Sequence, residues 1–185
     1  VDAIISPDYD EEAFNILTKK KNLILCTFED QKIPAISIRV VPNGILVQPT
    51  DTYMLTEKDL TIVTKKKPTK QQMKDLIFAW KVVKYAKSNA AVISTGTRTL
   101  GIGMGQTSRI GAVELALKRA GDRAEGAVMA SDAFFPYRDS VDAAVKKGVI
   151  GIIAPGGSIR DSQSIQAADE ADITMVWSGI RSFLH

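Results

Sequence analysis

The sequence is poor in two residues on which much protein chemistry depends: its 185 residues include one cysteine, Cys26, and one histidine, His185. A single thiol cannot close an internal disulfide, so a reducing compartment and a cytoplasmic protein are expected. Cys/His zinc sites are excluded, and so is any Ser-His-Asp triad that does not use the last residue. The start, Val1-Asp2-Ala3-Ile4-Ile5, has no methionine, no basic stretch and no long apolar run. A signal peptide, a membrane span and a membrane partner are therefore not expected, and the missing methionine points to a start cut from inside a longer product. Neither charge is in large excess: 24 Lys plus Arg oppose 21 Asp plus Glu, for a net +3. The basic runs Lys19-Lys20-Lys21 and Lys65-Lys66-Lys67 lack the interleaved aromatics or arginines of a nucleic-acid surface. They read as solvated loop or helix-end charge, with no nucleic-acid partner.

What remains is ordinary globular composition, 45% hydrophobic and 24% charged. A chain of this length buries roughly 70% of its extended surface, enough for a core without disulfides or metals, in one domain or two small ones.

The patterning changes near residue 65. Before it, Ile4-Ile5 reads as a strand, Ser6-Pro7-Asp8 with acidic Glu11-Glu12 as a helix start, and Ala13, Phe14 and Leu17 as one helix face. Leu23 to Phe28 is a strand candidate, and Ala35 to Val41, Pro42-Asn43-Gly44 and Ile45 to Val47 form a hairpin signature. Lys65 to Lys70 reads as a linker, giving expected domains of 1–67 and 68–185. Thr69 and Gln72 make a capping box, and Leu76, Ile77, Trp80 and Val83 recur at helical spacing toward Lys87. Those positions read as core rather than as an aromatic ligand box around Trp80. A second hairpin spans Ala90 to Gly103, and Ser108 or Thr107 can cap a helix from Ile110 to Ala120 that Gly121 stops.

From Ala127 onward strands alternate with helices: 127–130, 149–154 and 173–177 against 141–147 and 164–171. Such alternation implies parallel pairing through right-handed crossovers. The loops after the first two of these strands, Ser131 to Pro136 and Pro155 to Asp161, then share one edge of the sheet, where ligands of open α/β folds lie. Pro155-Gly156-Gly157-Ser158 offers either free backbone N–H groups for an anion or a tight turn that needs glycine. Phe134-Phe135-Pro136-Tyr137 is rich in rings for an exposed turn, so one ring is expected in the core and another free to stack on a ligand. Asp132 and Asp139 flank it and can serve as helix caps; Asn89 can be a helix C-cap. Arg109 sits before a helix, where a cation opposes the macrodipole, which favours an anion-binding role. Arg181 is ambiguous by itself, and terminal tails usually fray.

Four separated stretches, Trp80 to Ala90, Gly101 to Arg109, Ala130 to Pro136 and Pro155 to Asp161, with the close on Arg181 and His185, resemble one family. The chain is similar to the carboxyl-terminal part of the bifunctional purine-biosynthesis proteins that join phosphoribosylaminoimidazolecarboxamide (AICAR) formyltransferase to IMP cyclohydrolase. The resemblance implies an α/β fold of the cytidine-deaminase-like, three-layer α/β/α kind with a mixed sheet and no zinc, working as a homodimer through the formyltransferase region. On that basis 1–67 would close the preceding deaminase-like half and 68–185 would form the second. It implies transfer of a formyl group from 10-formyltetrahydrofolate to AICAR, giving FAICAR, with closure to IMP on a separate domain.

Carried over by motif, Asn89, Arg109, Phe134 and Arg181 would contact the ribonucleotide, Asn89 also assisting catalysis. Ile110, Asp139, Ser158 and Ile159 would line the folate side. Asp132 would take part in a potassium site near the chain end, tying down the tail at His185. The family's catalytic Lys-His pair has no counterpart here. An attacking amine must lose a proton, so the chain alone is expected to turn over little. The alternative is a binding or assembly module that kept the fold without catalysis; a general nucleotide-binding domain rests on Pro155-Gly156-Gly157 alone.

Overall fold

A computed structural model describes residues 1–29 and 34–184. The described chain divides into two compact units, one ending at Thr52 and the other beginning at Tyr53.

In the first unit, β1 (Ala3–Ser6) pairs in parallel with β2 (Ile24–Thr27), and α1 (Glu11–Leu17) connects them. The cap of α1 is Asp10, whose carboxylate accepts the Ala13 N–H at 2.6 Å. β3 (Ile36–Val41) and β4 (Gly44–Pro49) form the expected antiparallel hairpin, turned at Asn43 with φ +66°. None of this unit's described residues is buried.

The second unit is built on a six-stranded mixed sheet of order β5-β10-β9-β8-β6-β7. Its strands are β5 (Thr61–Ile62), β6 (Ala91–Thr95), β7 (Arg98–Gly103), β8 (Val128–Ser131), β9 (Gly151–Ala154) and β10 (Thr174–Trp177). β8, β9 and β10 run parallel, as their alternation with helices predicts, and β5, β6 and β7 are antiparallel to their neighbours. Between them run α2 (Lys70–Val83), α3 (Arg109–Ala120), α4 (Asp139–Lys146) and α5 (Asp161–Glu170).

Successive strand residues point to opposite faces, and two apolar clusters follow. Val92, Val128, Ala130, Ile153 and Val176 pack with Leu76, Ala79, Trp80 and Val83 of α2. Ile93, Met129, Ile152 and Met175 pack with residues of α3, α4 and α5. Trp80 is 1% exposed and belongs to the core. Side chains of this size contribute about 1.5–3 kcal/mol each when fully buried. The capping box of α2 forms as expected: Thr69 accepts the Gln72 N–H, and Gln72 accepts the Thr69 N–H. α3 lies hard against β7 because Gly101 and Gly103 carry no side chain; a Cβ on Gly103 would sit 1.9 Å from the Ala112 carbonyl oxygen.

Several local expectations are corrected. Residues 65–70 are tied into the second compact unit, which begins at Tyr53. β5 pairs with β10, the Thr64 hydroxyl accepts the Met175 N–H, the Lys65 N–H goes to Asp169, and Lys66 pairs with Asp172. Each partner lies more than 100 residues away in sequence, so polar composition alone misleads. α2 ends at Val83 rather than near Lys87, so Asn89 is not its C-cap. Arg109 is the first residue of α3, whose cap is Ser108. Asp139 opens α4 from inside the helix, accepting the neighbouring Ser140 N–H rather than capping.

Candidate functional site

Because β8 and β9 are parallel neighbours, the loops that follow them emerge at one edge of the sheet. Two cavities open there. The first, about 430 Å³, is lined by Asn89, Arg109, Ile110, Phe134, Tyr137, Asp139 and Phe183, among others. The second, about 620 Å³, is lined by Phe134, Pro136, Tyr137, Gly157, Ser158, Ile159, Arg160 and Arg181. Phe134, Pro136 and Tyr137 belong to both and form the wall where the cavities meet. Phe135 is the ring that enters the core, at 1% exposure.

The residues implied by the resemblance are thus brought together, although not in its two groups. Ile110 and Asp139, expected on the folate side, share the first cavity with Asn89 and Arg109. Arg181, expected on the nucleotide, shares the second with Ser158 and Ile159.

Behind the first cavity lies a buried polar network. The Arg109 guanidinium donates to Asp132 Oδ1, to the Ala90 carbonyl at 2.9 Å and to Asn89 Oδ1 at 2.9 Å. Asp132 also accepts the Ala90 N–H at 3.0 Å and the Ser88 hydroxyl at 2.5 Å. Asn89 in turn donates through Nδ2 to the Gln106 carbonyl. A buried arginine in the first turn of a helix is placed by this carboxylate, not by the macrodipole. Its Nε is buried without a partner among the described residues, which leaves one donor of the network unspent.

The Pro155-Gly156-Gly157-Ser158 loop settles between its two readings. Asp161 accepts the Gly157 N–H at 2.7 Å and the Ser158 N–H at 3.2 Å, so the chain's own carboxylate occupies the backbone donors an outside anion would need. The glycines are required by conformation, Gly156 at φ +72° and Gly157 at φ +97°. Gly156 also lies against Trp177, whose ring would meet a Cβ at 3.0 Å.

The tail through Leu184 is docked rather than frayed. The Ser182 N–H donates to the Asp132 carbonyl, the Ser88 N–H to the Leu184 carbonyl, and the Leu184 N–H to the Ser88 hydroxyl. This docking holds Arg181 with its guanidinium 5.1 Å from the Phe134 ring centroid and Phe183 in the first cavity's wall. His185 lies outside the described residues. Pro136 and Arg160 lie in the two loops expected at this edge and Tyr137 in the ring-rich run, although none was given a role, whereas Phe183 lines the first cavity without having been expected there.

Among known proteins, the family profile described as AICARFT/IMPCHase bienzyme matches residues 1–119. The chain belongs to that family. It is 50% identical over its whole length to the bifunctional purine biosynthesis protein PurH of Thermoanaerobacter sp. (strain X514), covering 36% of that protein. It is 49% identical to the protein of the same description from Anoxybacillus flavithermus, covering 37%. The chain therefore spans little more than a third of these curated relatives. Among solved structures it is similar to Acinetobacter baumannii RibD, with a TM-score of 0.39 and 20% identity over 56% of this chain and 33% of that one, a likeness too slight to argue from. Among the described residues no helix is long and apolar enough to cross a membrane.

Proposed function

We propose that the chain is the carboxyl-terminal part of an AICAR formyltransferase within a bifunctional purine-biosynthesis enzyme. It would serve the transfer of a formyl group from 10-formyltetrahydrofolate to AICAR, yielding FAICAR, while IMP closure occurs on a domain outside this chain. The observation that carries this reading is the convergence of Asn89, Arg109, Ile110, Phe134, Asp139, Ser158, Ile159 and Arg181 on two cavities that share the wall of Phe134, Pro136 and Tyr137.

The chemistry suits that reaction. Phe134, backed by the Arg181 guanidinium, offers a face on which a flat heterocycle stacks. Asn89, oriented at both ends by Arg109 and Gln106, keeps one amide N–H for a carboxamide oxygen. Asp139, the acid of the first cavity, can accept twice from a pterin's amino and ring N–H donors. The nucleophile is the substrate amine; it attacks the formyl carbon, loses a proton and displaces tetrahydrofolate. A neutral weak amine needs a base for that proton, and none of the described residues lining the first cavity is a histidine or lysine. The Lys-His pair implied by the resemblance would come from outside this chain.

A cytidine-deaminase-like three-layer arrangement for the second unit is supported by apolar clusters on both faces of the mixed sheet. The first unit, with no buried residue among those described, is read as the end of a preceding half. A homodimer in the cytoplasm completes the assignment. A potassium ion takes oxygen ligands; Asp132 Oδ2 and Ser88 Oγ lie 2.5 Å apart beside the docked tail and would hold it, whereas Asp132 Oδ1 is committed to Arg109.

The test is formyl transfer measured on the isolated chain and on the full-length protein. Turnover by the full-length protein with little by the chain is expected. Inactivity of the full-length protein would overturn the assignment and favour a non-catalytic binding module, and substantial turnover by the chain alone would overturn the placement of the proton-transfer groups elsewhere.

A further inference from the structure

The second cavity carries a pair of cations of which the resemblance gives a role to Arg181 alone. Two guanidinium groups border it, each laid over an aromatic ring: Arg160 stands 4.3 Å from the Tyr137 ring centroid and Arg181 stands 5.1 Å from that of Phe134. No acid lines this cavity. The nearby carboxylate of Asp161 spends its oxygens on the Gly157 and Ser158 N–H groups. Among the described residues neither guanidinium has a carboxylate partner. The contrast with the first cavity is sharp, since Arg109 there is neutralised by Asp132 and the wall adds Asp139.

Two uncompensated cations on a concave surface attract an anion, and a guanidinium stacked on a ring has its plane fixed, so that its N–H edge is presented at small entropic cost. We propose that Arg160, held by Tyr137, is a second anion contact of the site and acts with Arg181 to take the anionic end of a ligand whose ring lies on the Phe134–Tyr137 wall. The group recognised is a phosphate monoester or a carboxylate, either of which accepts two parallel N–H bonds from an arginine. Under the functional reading above, the first is the 5′-phosphate of the ribonucleotide and the second the glutamate tail of the folate. The backbone of the glycine loop does not contribute, because Asp161 already occupies it.

The experiment compares the full-length protein with its Arg160→Ala and Arg160→Glu variants by calorimetric titration. The probes are inorganic phosphate, AICAR ribonucleotide, its phosphate-free nucleoside, and tetrahydrofolate carrying one or several glutamates. Loss of one charged hydrogen bond corresponds to roughly tenfold weaker binding. The alanine variant is expected to lose about that much affinity for phosphate and ribonucleotide while nucleoside binding stays within about twofold, and the glutamate variant to lose more. If instead folate binding weakens, and more so with added glutamates, the carboxylate is the anion and the proposal stands with that occupant. Equal losses for nucleotide and nucleoside, or no loss for any anion, overturn it. Should the parent protein bind phosphate through Arg160 yet neither bind AICAR nor transfer formyl groups, the functional reading fails while the anion site remains.

Discussion

Arg109 and Asp132 form an ion pair closed to solvent on both sides, the arginine side chain 5% exposed and the aspartate 0%. The two residues come from different elements, the first turn of α3 and the loop after β8, and the pair fixes the floor of the first cavity. Taking one partner away leaves a buried charge uncompensated, at a cost of about 3–5 kcal/mol. Asp132→Leu in the full-length protein should therefore lower the unfolding free energy, read from chemical denaturation, by an amount of that order. Arg109→Met combined with Asp132→Leu should recover a good part of it, because the apolar pair buries no lone charge. A double variant no more stable than the single one would mean that Asp132 acts through Ser88 and the tail alone.

Much of the fold around this pair was legible because its causes are local. The Thr69–Gln72 box, the Asn43 hairpin turn and the alternation from Ala127 onward are written within a few residues of where they act. The pair itself joins positions 23 apart, and nothing near Arg109 in sequence announces a carboxylate. The same holds for Thr64 and Met175, 111 apart, whose bond fastens the chain just before the expected linker to the edge of the sheet. The glycine loop shows a subtler limit: both readings predicted free or merely turned backbone, and the deciding residue, Asp161, was visible in the motif without its role being so. The candidate site residues came from the resemblance, whereas their division between two cavities depended on geometry.

Phe134 is the wall between the cavities and the platform for Arg181. Phe134→Ala removes an aromatic surface from both cavities at once, and, under the proposed function, an aromatic contact with its buried area is worth roughly 1–3 kcal/mol. A fall in kcat/KM of about ten- to a hundredfold is expected in the full-length enzyme, with thermal stability little changed because Phe134 is not part of the core. An unchanged kcat/KM would remove the ring from the site.

Gly103 and Gly96 make a paired test of packing. A Cβ on Gly103 would meet the Ala112 carbonyl oxygen at 1.9 Å, within the α3–β7 contact, whereas nothing lies within 4 Å of one on Gly96. Backbone must move in the first case, so Gly103→Ala should cost more than the roughly 1–3 kcal/mol typical of overpacking. Gly96, at φ +55°, pays only for its left-handed conformation. Equal losses in chemical denaturation would show that α3 can shift away from β7 freely.

The acid side of the stability profile should carry a signature of Glu170. Its carboxyl is held below the ordinary 4.5 by hydrogen bonds from Arg138 and then Gln166, with neighbouring Asp142 opposing slightly. Arg138, bonded to both Asp142 and Glu170, has its own pKa pushed up and stays charged throughout. A carboxylate more acidic folded than unfolded stabilises fully above its unfolded value, and that contribution disappears as pH falls through the folded one. Glu170→Gln should therefore lower Tm slightly at neutral pH and make no difference well below pH 4.5, the gap narrowing in high salt because the pair is open to solvent. A gap that widens on acidification would assign the bond to another group.

The hairpin of the first unit leaves an apolar face uncovered. Ile36, Ile38 and Val40 stand on one side of β3, opposite Pro49, Val47 and Ile45 of β4, and the five large residues among them are 54–78% exposed. A unit with no buried residue among those described has little to set against its chain entropy, and a contiguous apolar face of this kind seeks a partner. In hydrogen exchange on the isolated chain, amides of residues 1–52 should exchange far faster than those of β6, β8 and β9, and the chain should self-associate as its concentration rises. Ile38→Lys combined with Val47→Glu should suppress that association while leaving protection of the six-stranded sheet unchanged. Slow exchange throughout residues 1–52 in a monomeric sample would mean that this unit holds together by itself, and the reading of it as the end of a larger half would have to be abandoned.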